Sequence, residues 1–137
     1  MEVKISHLDG VKFAIQARSH TIVCDQPLDN GGVDSGMTQP ELLLASLGGC
    51  AAYYALQFLK TRNLAQTGVE VSITADKLQH PARLGNFRVQ VVSPVPLTAD
   101  QTEALMRAVR HCTIHNTLLL PPEIKIELAI GAAAAVS

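Results

Sequence analysis

Three cysteines and five histidines carry most of the reactive chemistry that this chain has to offer. Cys50 follows Gly48-Gly49 inside an uncharged apolar run, so small neighbours leave room for another group to reach its sulfur. A thiol there either acts as a nucleophile once ionised or is simply a small hydrophobe at home in a core. On the residue alone, packing is the plainer reading. Cys112 lies among Arg110, His111 and His115, an electropositive local sequence that favours the thiolate. Taken alone it too reads as packing, and so does Cys24, which has no polar company.

His111, Cys112 and His115 are also fragments of a metal site, because positions 111 and 115 fall on one face of a helix. Two histidines and a cysteine without a further clustered ligand are an incomplete zinc set. Solvated helix residues explain them more simply, and no metal is expected. His7, His20 and His80 fall in strand or turn contexts. With no phosphate-cradling glycine loop, no Gly-x-Ser-x-Gly elbow and no dinucleotide fingerprint, no organic cofactor is expected either.

The elements that must position these residues can be read from periodicity. Val3 to Leu8, the Asp9-Gly10 turn, Val11 to Ala17 and Ser19 to Cys24 read as three opening strands. Pro27 to Pro40 is rich in Gly, Asp, Asn and Ser and forms a long surface loop of the kind that is often functional. A central helix starts at Thr38 or Gln39, with Thr38 as N-cap, and runs to Thr61 or Arg62. Its uncharged stretch from Leu42 to Leu59 approaches the length of a membrane span. The buried centre of a soluble domain accounts for it better, given Ser46, Tyr53, Tyr54 and Gln57 within it. Val69 to Lys77 and the Phe87-Val89-Val91 stretch alternate as half-buried strands around a His80-Pro81 turn. Thr98 and Gln101 open a further helix with a capping box. That helix, or a second close behind it, carries Cys112 and ends before Pro121-Pro122. Ile124, Ile126 and Leu128 mark a last strand, and Gly131 to Ser137 a loose tail. Hairpin-joined strands with segregated helices indicate an α+β fold, in one domain spanning residues 1–137.

Composition removes several function classes. A formal charge of -1 gives no electrostatic case for nucleic acid or an anionic membrane, and two Tyr, three Phe and no Trp make no base-stacking platform. The N-terminus has no long apolar segment of the signal-peptide kind, so a cytoplasmic location is expected. Three cysteines cannot form a fully paired framework, and in a reducing compartment such thiols are free, catalytic or metal-bound.

The runs Gly31 to Gly36 and Gln39-Pro40-Glu41-Leu42-Leu43-Leu44-Ala45-Ser46-Leu47-Gly48-Gly49-Cys50 resemble the central helix of the OsmC/Ohr family. Cys112-Thr113-Ile114-His115-Asn116-Thr117-Leu118 resembles that family's second cysteine motif. Arg18, His20 and Asp25-Gln26-Pro27 are similar to its early strand. The resemblance implies an intertwined homodimer in which curved antiparallel sheets wrap around paired long helices. It also implies reduction of organic hydroperoxides by Cys50, with Cys112 closing a disulfide that an external dithiol reopens. Glu41 and Arg18 are the available counterparts of the family's activating pair, and no cofactor or metal is called for. Thr113 stands where proline is usual, which fits the OsmC-like branch better than true Ohr proteins. The alternative is a non-catalytic member that binds a small apolar ligand in the dimer cleft.

Overall fold

The strands of this chain pair into two separate antiparallel sheets. A computed structural model describes residues 1–131. The first sheet joins β1 (Lys4–His7), β2 (Phe13–Ala17) and β3 (His20–Cys24) in that order. Ile5 faces Ile15, which in turn faces Ile22, across the two ladders. The second sheet is the hairpin β4 (Glu70–Leu78) with β5 (Arg83–Val92), its register shifting between Thr74 and Asp76. Val71, Ile73 and Ala75 turn inward and Ser72 and Thr74 outward, as period-two patterning requires.

Between the sheets in sequence runs α1 (Gln39–Thr61). Thr38 caps it as expected: its hydroxyl oxygen accepts from the Glu41 N–H, and a Glu41 carboxylate oxygen accepts from the Thr38 N–H at 3.1 Å. The inner face of its second half, with Ala55, Phe58 and Leu59, meets Leu105 of α2 (Ala99–Val109), and these four residues form the core cluster. Gly48 is the contact point with β4: a β-carbon there would lie 3.3 Å from the Ile73 side chain. Missing bulk at residue 48 therefore lets the helix settle onto the hairpin. Nothing lies within 4 Å of the corresponding position at Gly49, which is exposed. By length and hydropathy α1 could cross a membrane, yet Ala55, Phe58 and Leu59 pack against polypeptide.

The sequence readings depart from the structure at three places. The long loop is not wholly irregular, because Leu28–Asn30 form a 3₁₀ turn. His111 does not share a helix with His115: α2 ends at Val109, a turn follows, and α3 (Thr113–Leu119) begins just after Cys112. Cys112 thus sits at a corner between two helices. The strand expected at Ile124 to Leu128 does not form among the described residues. That segment is irregular and exposed, and no neighbouring strand among the described residues accepts a ladder from it. Of the loose tail, residues 132–137 lie outside the described residues.

Leu59 is fully buried, so Leu59→Ala is predicted to cost about 2–5 kcal/mol. Urea denaturation measures this directly, and a loss well under 1 kcal/mol would show that α1 is not seated on this core.

Candidate functional site: a cysteine pair joining two helices

Cys50 and Cys112 are joined by a disulfide, with Cα atoms 5.7 Å apart and a sequence separation of 62. That spacing is inside the range a disulfide requires. Cys50 comes from the middle of α1, where Gly48 has brought the helix close to β4. Cys112 comes from the corner that ends α2 and begins α3. The bridge therefore ties the central helix to the helical corner, and in a chain-entropy view a link of this length is worth about 4 kcal/mol.

The two sulfur-bearing residues differ in access. Cys50 is half-buried, whereas Cys112 is only 1% exposed. A molecule arriving from solvent meets Cys50 first. Cys112 is the N-cap of α3, and its sulfur accepts from the His115 N–H at 3.4 Å. Beside it lies a cavity of about 140 Å³, walled by Leu47, Val89, Val91 and Met106 and carrying Arg110 and His115 on its lining. The His115 Nδ1 is buried with no hydrogen-bond partner among the described residues. A larger cavity, about 810 Å³, lies elsewhere, between the 26–30 loop, the start of α1 and the Ala75–Lys77 edge of β4.

Glu41 and Arg18 are not drawn to the sulfurs within the chain. Glu41 is in the first turn of α1, nine residues and so about 13 Å of helix from Cys50. Its carboxylate accepts the Thr38 hydroxyl at 2.8 Å and the Thr38 N–H, which together hold its pKa below the usual value. Arg18 occupies the exposed turn between β2 and β3 at a φ of 55° and makes no ion pair among the described residues. Cys24 is buried and free, and its sulfur accepts from Gln39 Nε2 at 3.3 Å. No group of three or more His, Cys, Asp or Glu residues suited to a metal occurs among the described residues.

Sequence reading gave Asp25 no role beyond its place in the Asp25-Gln26-Pro27 run. It is 1% exposed and anchors the whole loop. One oxygen accepts from the Gln26 N–H at 2.8 Å; the other accepts from Val33 N–H, Ser35 N–H and the Ser35 hydroxyl. The Ser35 and Gln26 N–H groups, then the Ser35 hydroxyl, pull its pKa from 3.8 to about 2 against the opposing effect of burial. Gly32 lets the loop close over it, since a β-carbon at 32 would collide with the Gln26 carbonyl. The available signal was an aspartate followed by a stretch of Gly, Asp and Ser residues able to fold back onto it.

A family model for OsmC-like protein matches residues 32–127, most of the chain and both cysteine motifs. The chain belongs to the OsmC-like family. Solved structures agree on the OsmC-like fold. A protein of the osmotic stress induced and detoxification response type from Psychrobacter arcticus 273-4 superposes with a TM-score of 0.76 at 15% identity, over 84% of this chain and 85% of its own. An OsmC-like protein from Mycoplasma pneumoniae gives 0.68 at 17% identity, over 86% of each chain. An organic hydroperoxide resistance protein OsmC from Legionella pneumophila gives 0.58 at 13% identity, over 86% of this chain and 89% of its own. No curated protein matches the chain. The OsmC-like fold observed here is α+β, with antiparallel sheets and three helices.

The loop anchor should titrate. Because the folded pKa of Asp25 is depressed, its stabilising contribution is complete above about pH 4 and is lost as the pH falls toward 2. Asp25→Asn is predicted to lower the melting temperature at pH 7, with the gap to the parent protein closing near pH 2. An equal gap at both pH values would mean that the charge on Asp25 does not hold the loop.

Proposed function

We propose that this OsmC-like protein is a two-cysteine thiol peroxidase that reduces organic hydroperoxides. The observation that carries the reading is the pairing of an accessible Cys50 with a buried Cys112 at disulfide distance. The Cys50 thiolate attacks one peroxide oxygen. The O–O bond breaks, the distal oxygen leaves as an alkoxide that takes up a proton to become the alcohol, and Cys50 becomes a sulfenic acid. Cys112 then displaces that oxygen as water and closes the disulfide, and an external dithiol restores both thiols. No cofactor enters the sequence of steps. A protein working in the cytoplasm would hold this disulfide only transiently, since lasting structural disulfides are rare there. We assign Cys50 the attacking role because a peroxide can reach it, and Cys112 the resolving role because solvent cannot.

A homodimer is part of the same proposal. Several surfaces of the chain are apolar and open: Ile5 and Ile22 on the first sheet, Tyr53 on α1, and Ile124, Ile126 and Leu128 in the unpaired segment. Exposed apolar side chains of this kind are what a subunit interface would bury. A second copy would cover them, laying its own helix along the Gly49 face and giving residues 124–128 a strand to pair with. Arg18 and Glu41 would then act on Cys50 only if dimerisation or reorganisation of the first turn of α1 carries them to it.

Under one equivalent of cumene hydroperoxide, intact mass and peptide mapping should show a rapid Cys50–Cys112 disulfide that dithiothreitol reverses. Cys50→Ser should abolish peroxide consumption, and Cys112→Ser should leave Cys50 accumulating as sulfinic acid. Thiols that remain reduced would sink the peroxidase reading and favour a ligand in the apolar cavity beside Cys112. For assembly, Gly49→Leu and Ile126→Asp should each shift sedimentation from dimer toward monomer. Nothing within the chain crowds residue 49, so a parent protein already monomeric at micromolar concentration would remove the dimer.

A further inference from the structure

The geometry points to His115 as the group that carries the proton to and from the Cys112 sulfur. The inference rests on the two-cysteine reading, but concerns a residue that reading does not use.

In the oxidised protein an external thiolate reaches Cys50 more readily than Cys112, so Cys112 is the sulfur that leaves when the disulfide opens. It leaves into a buried setting, where an uncompensated thiolate is costly. His115 is one turn along α3. Its backbone N–H already touches the Cys112 sulfur at 3.4 Å, and its side chain lines the same small cavity as Cys112. The Nδ1 atom is buried and has no partner among the described residues. Buried polar groups are nearly always paired, so a missing partner calls for an explanation. On this proposal the partner of Nδ1 is the Cys112 sulfur, which carries neither proton nor charge while the disulfide is closed.

The surroundings leave few rivals. From α1 and β5 the cavity receives the apolar Leu47, Val89 and Val91, and from α2 Met106; the other charged group on its lining is Arg110. Arginine stays protonated throughout the working range, so it can attract a thiolate but cannot exchange a proton with it. Histidine can do so between about pH 5 and 8. On opening, the thiolate of the reductant bonds to the Cys50 sulfur, the S–S bond breaks, and its electron pair goes to Cys112, which takes a proton from the His115 imidazolium. The reductant's second thiol then displaces Cys50, leaving a cyclic disulfide and two protein thiols. On closing, Cys112 gives its proton to neutral His115 and its sulfur attacks the Cys50 sulfenic acid. The S–O bond breaks, and the departing hydroxide recovers the proton as water.

The test avoids peroxide altogether, so that it can fail independently of the peroxidase reading. Oxidised parent protein, His115→Gln, His115→Asn and Arg110→Gln are opened with dithiothreitol from pH 5 to 9, quenched by alkylation and counted by mass. Rates are divided by the concentration of dithiothreitol thiolate. The parent rate per thiolate should fall about tenfold as the pH rises through the histidine range, because the protonated imidazole is the donor. Both His115 variants should be about tenfold slower at pH 6 and flat with pH, while Arg110→Gln keeps the slope. Variants that no longer form the Cys50–Cys112 disulfide are identified by the same mass measurement, which is why two replacements are used. A flat parent profile, or a slope that survives in either His115 variant, overturns the proposal. So does a slope lost only in Arg110→Gln.

Discussion

The approach of Cys50 to Cys112 is the constraint on which the rest of the structure depends. One cysteine lies in the middle of a long helix and the other at a corner between two shorter ones. They meet only if α1 lies close against β4 and α2 packs back across it. Gly48 permits the first condition by leaving space for Ile73. Leu105, seated against Ala55, Phe58 and Leu59, supplies the second. The cysteine pair is thus held by the hydrophobic core itself, through the packing of three helices and a hairpin.

Polar order complements that core at its edge. Asp25 gathers three backbone N–H groups and a hydroxyl from a loop that would otherwise have to be solvated strand by strand. The same loop leads into Thr38, whose exchange of hydrogen bonds with Glu41 fixes where α1 starts. Anchoring the loop therefore sets the beginning of the helix that carries Cys50. Glu41 is used in this cap, which explains in physical terms why a carboxylate at this position is not free to serve the sulfur without giving up its Thr38 contacts.

Several apolar side chains find no cover among the described residues of a single chain. The first sheet keeps Ile5 and Ile22 exposed, α1 presents the bare backbone of Gly49 beside Tyr53, and residues 124–128 are irregular with apolar side chains in the open. The proposed homodimer draws these separate features into one account, since a partner strand and a partner helix are what the open surfaces lack.

By itself, the sequence determined the local elements and the family. Period-two alternation marked β4 and β5, Thr38 and Thr98 marked two helix starts, and the two cysteine motifs identified the OsmC-like family, because these signals depend only on near neighbours along the chain. Residues 124–128 show the limit of such signals: alternation can announce a strand, but a ladder needs a neighbour, and none is supplied by the described residues. The tertiary structure alone decided which cysteine faces solvent, that His111 and His115 belong to different segments, and that Asp25 is a buried anchor. Each of these turns on atoms brought together from distant positions, such as Asp25 with Val33 and Ser35, or Cys112 with Leu47 and Val89. Burial and the missing partner of a ring nitrogen are properties of packing, and packing has no signature in local spacing.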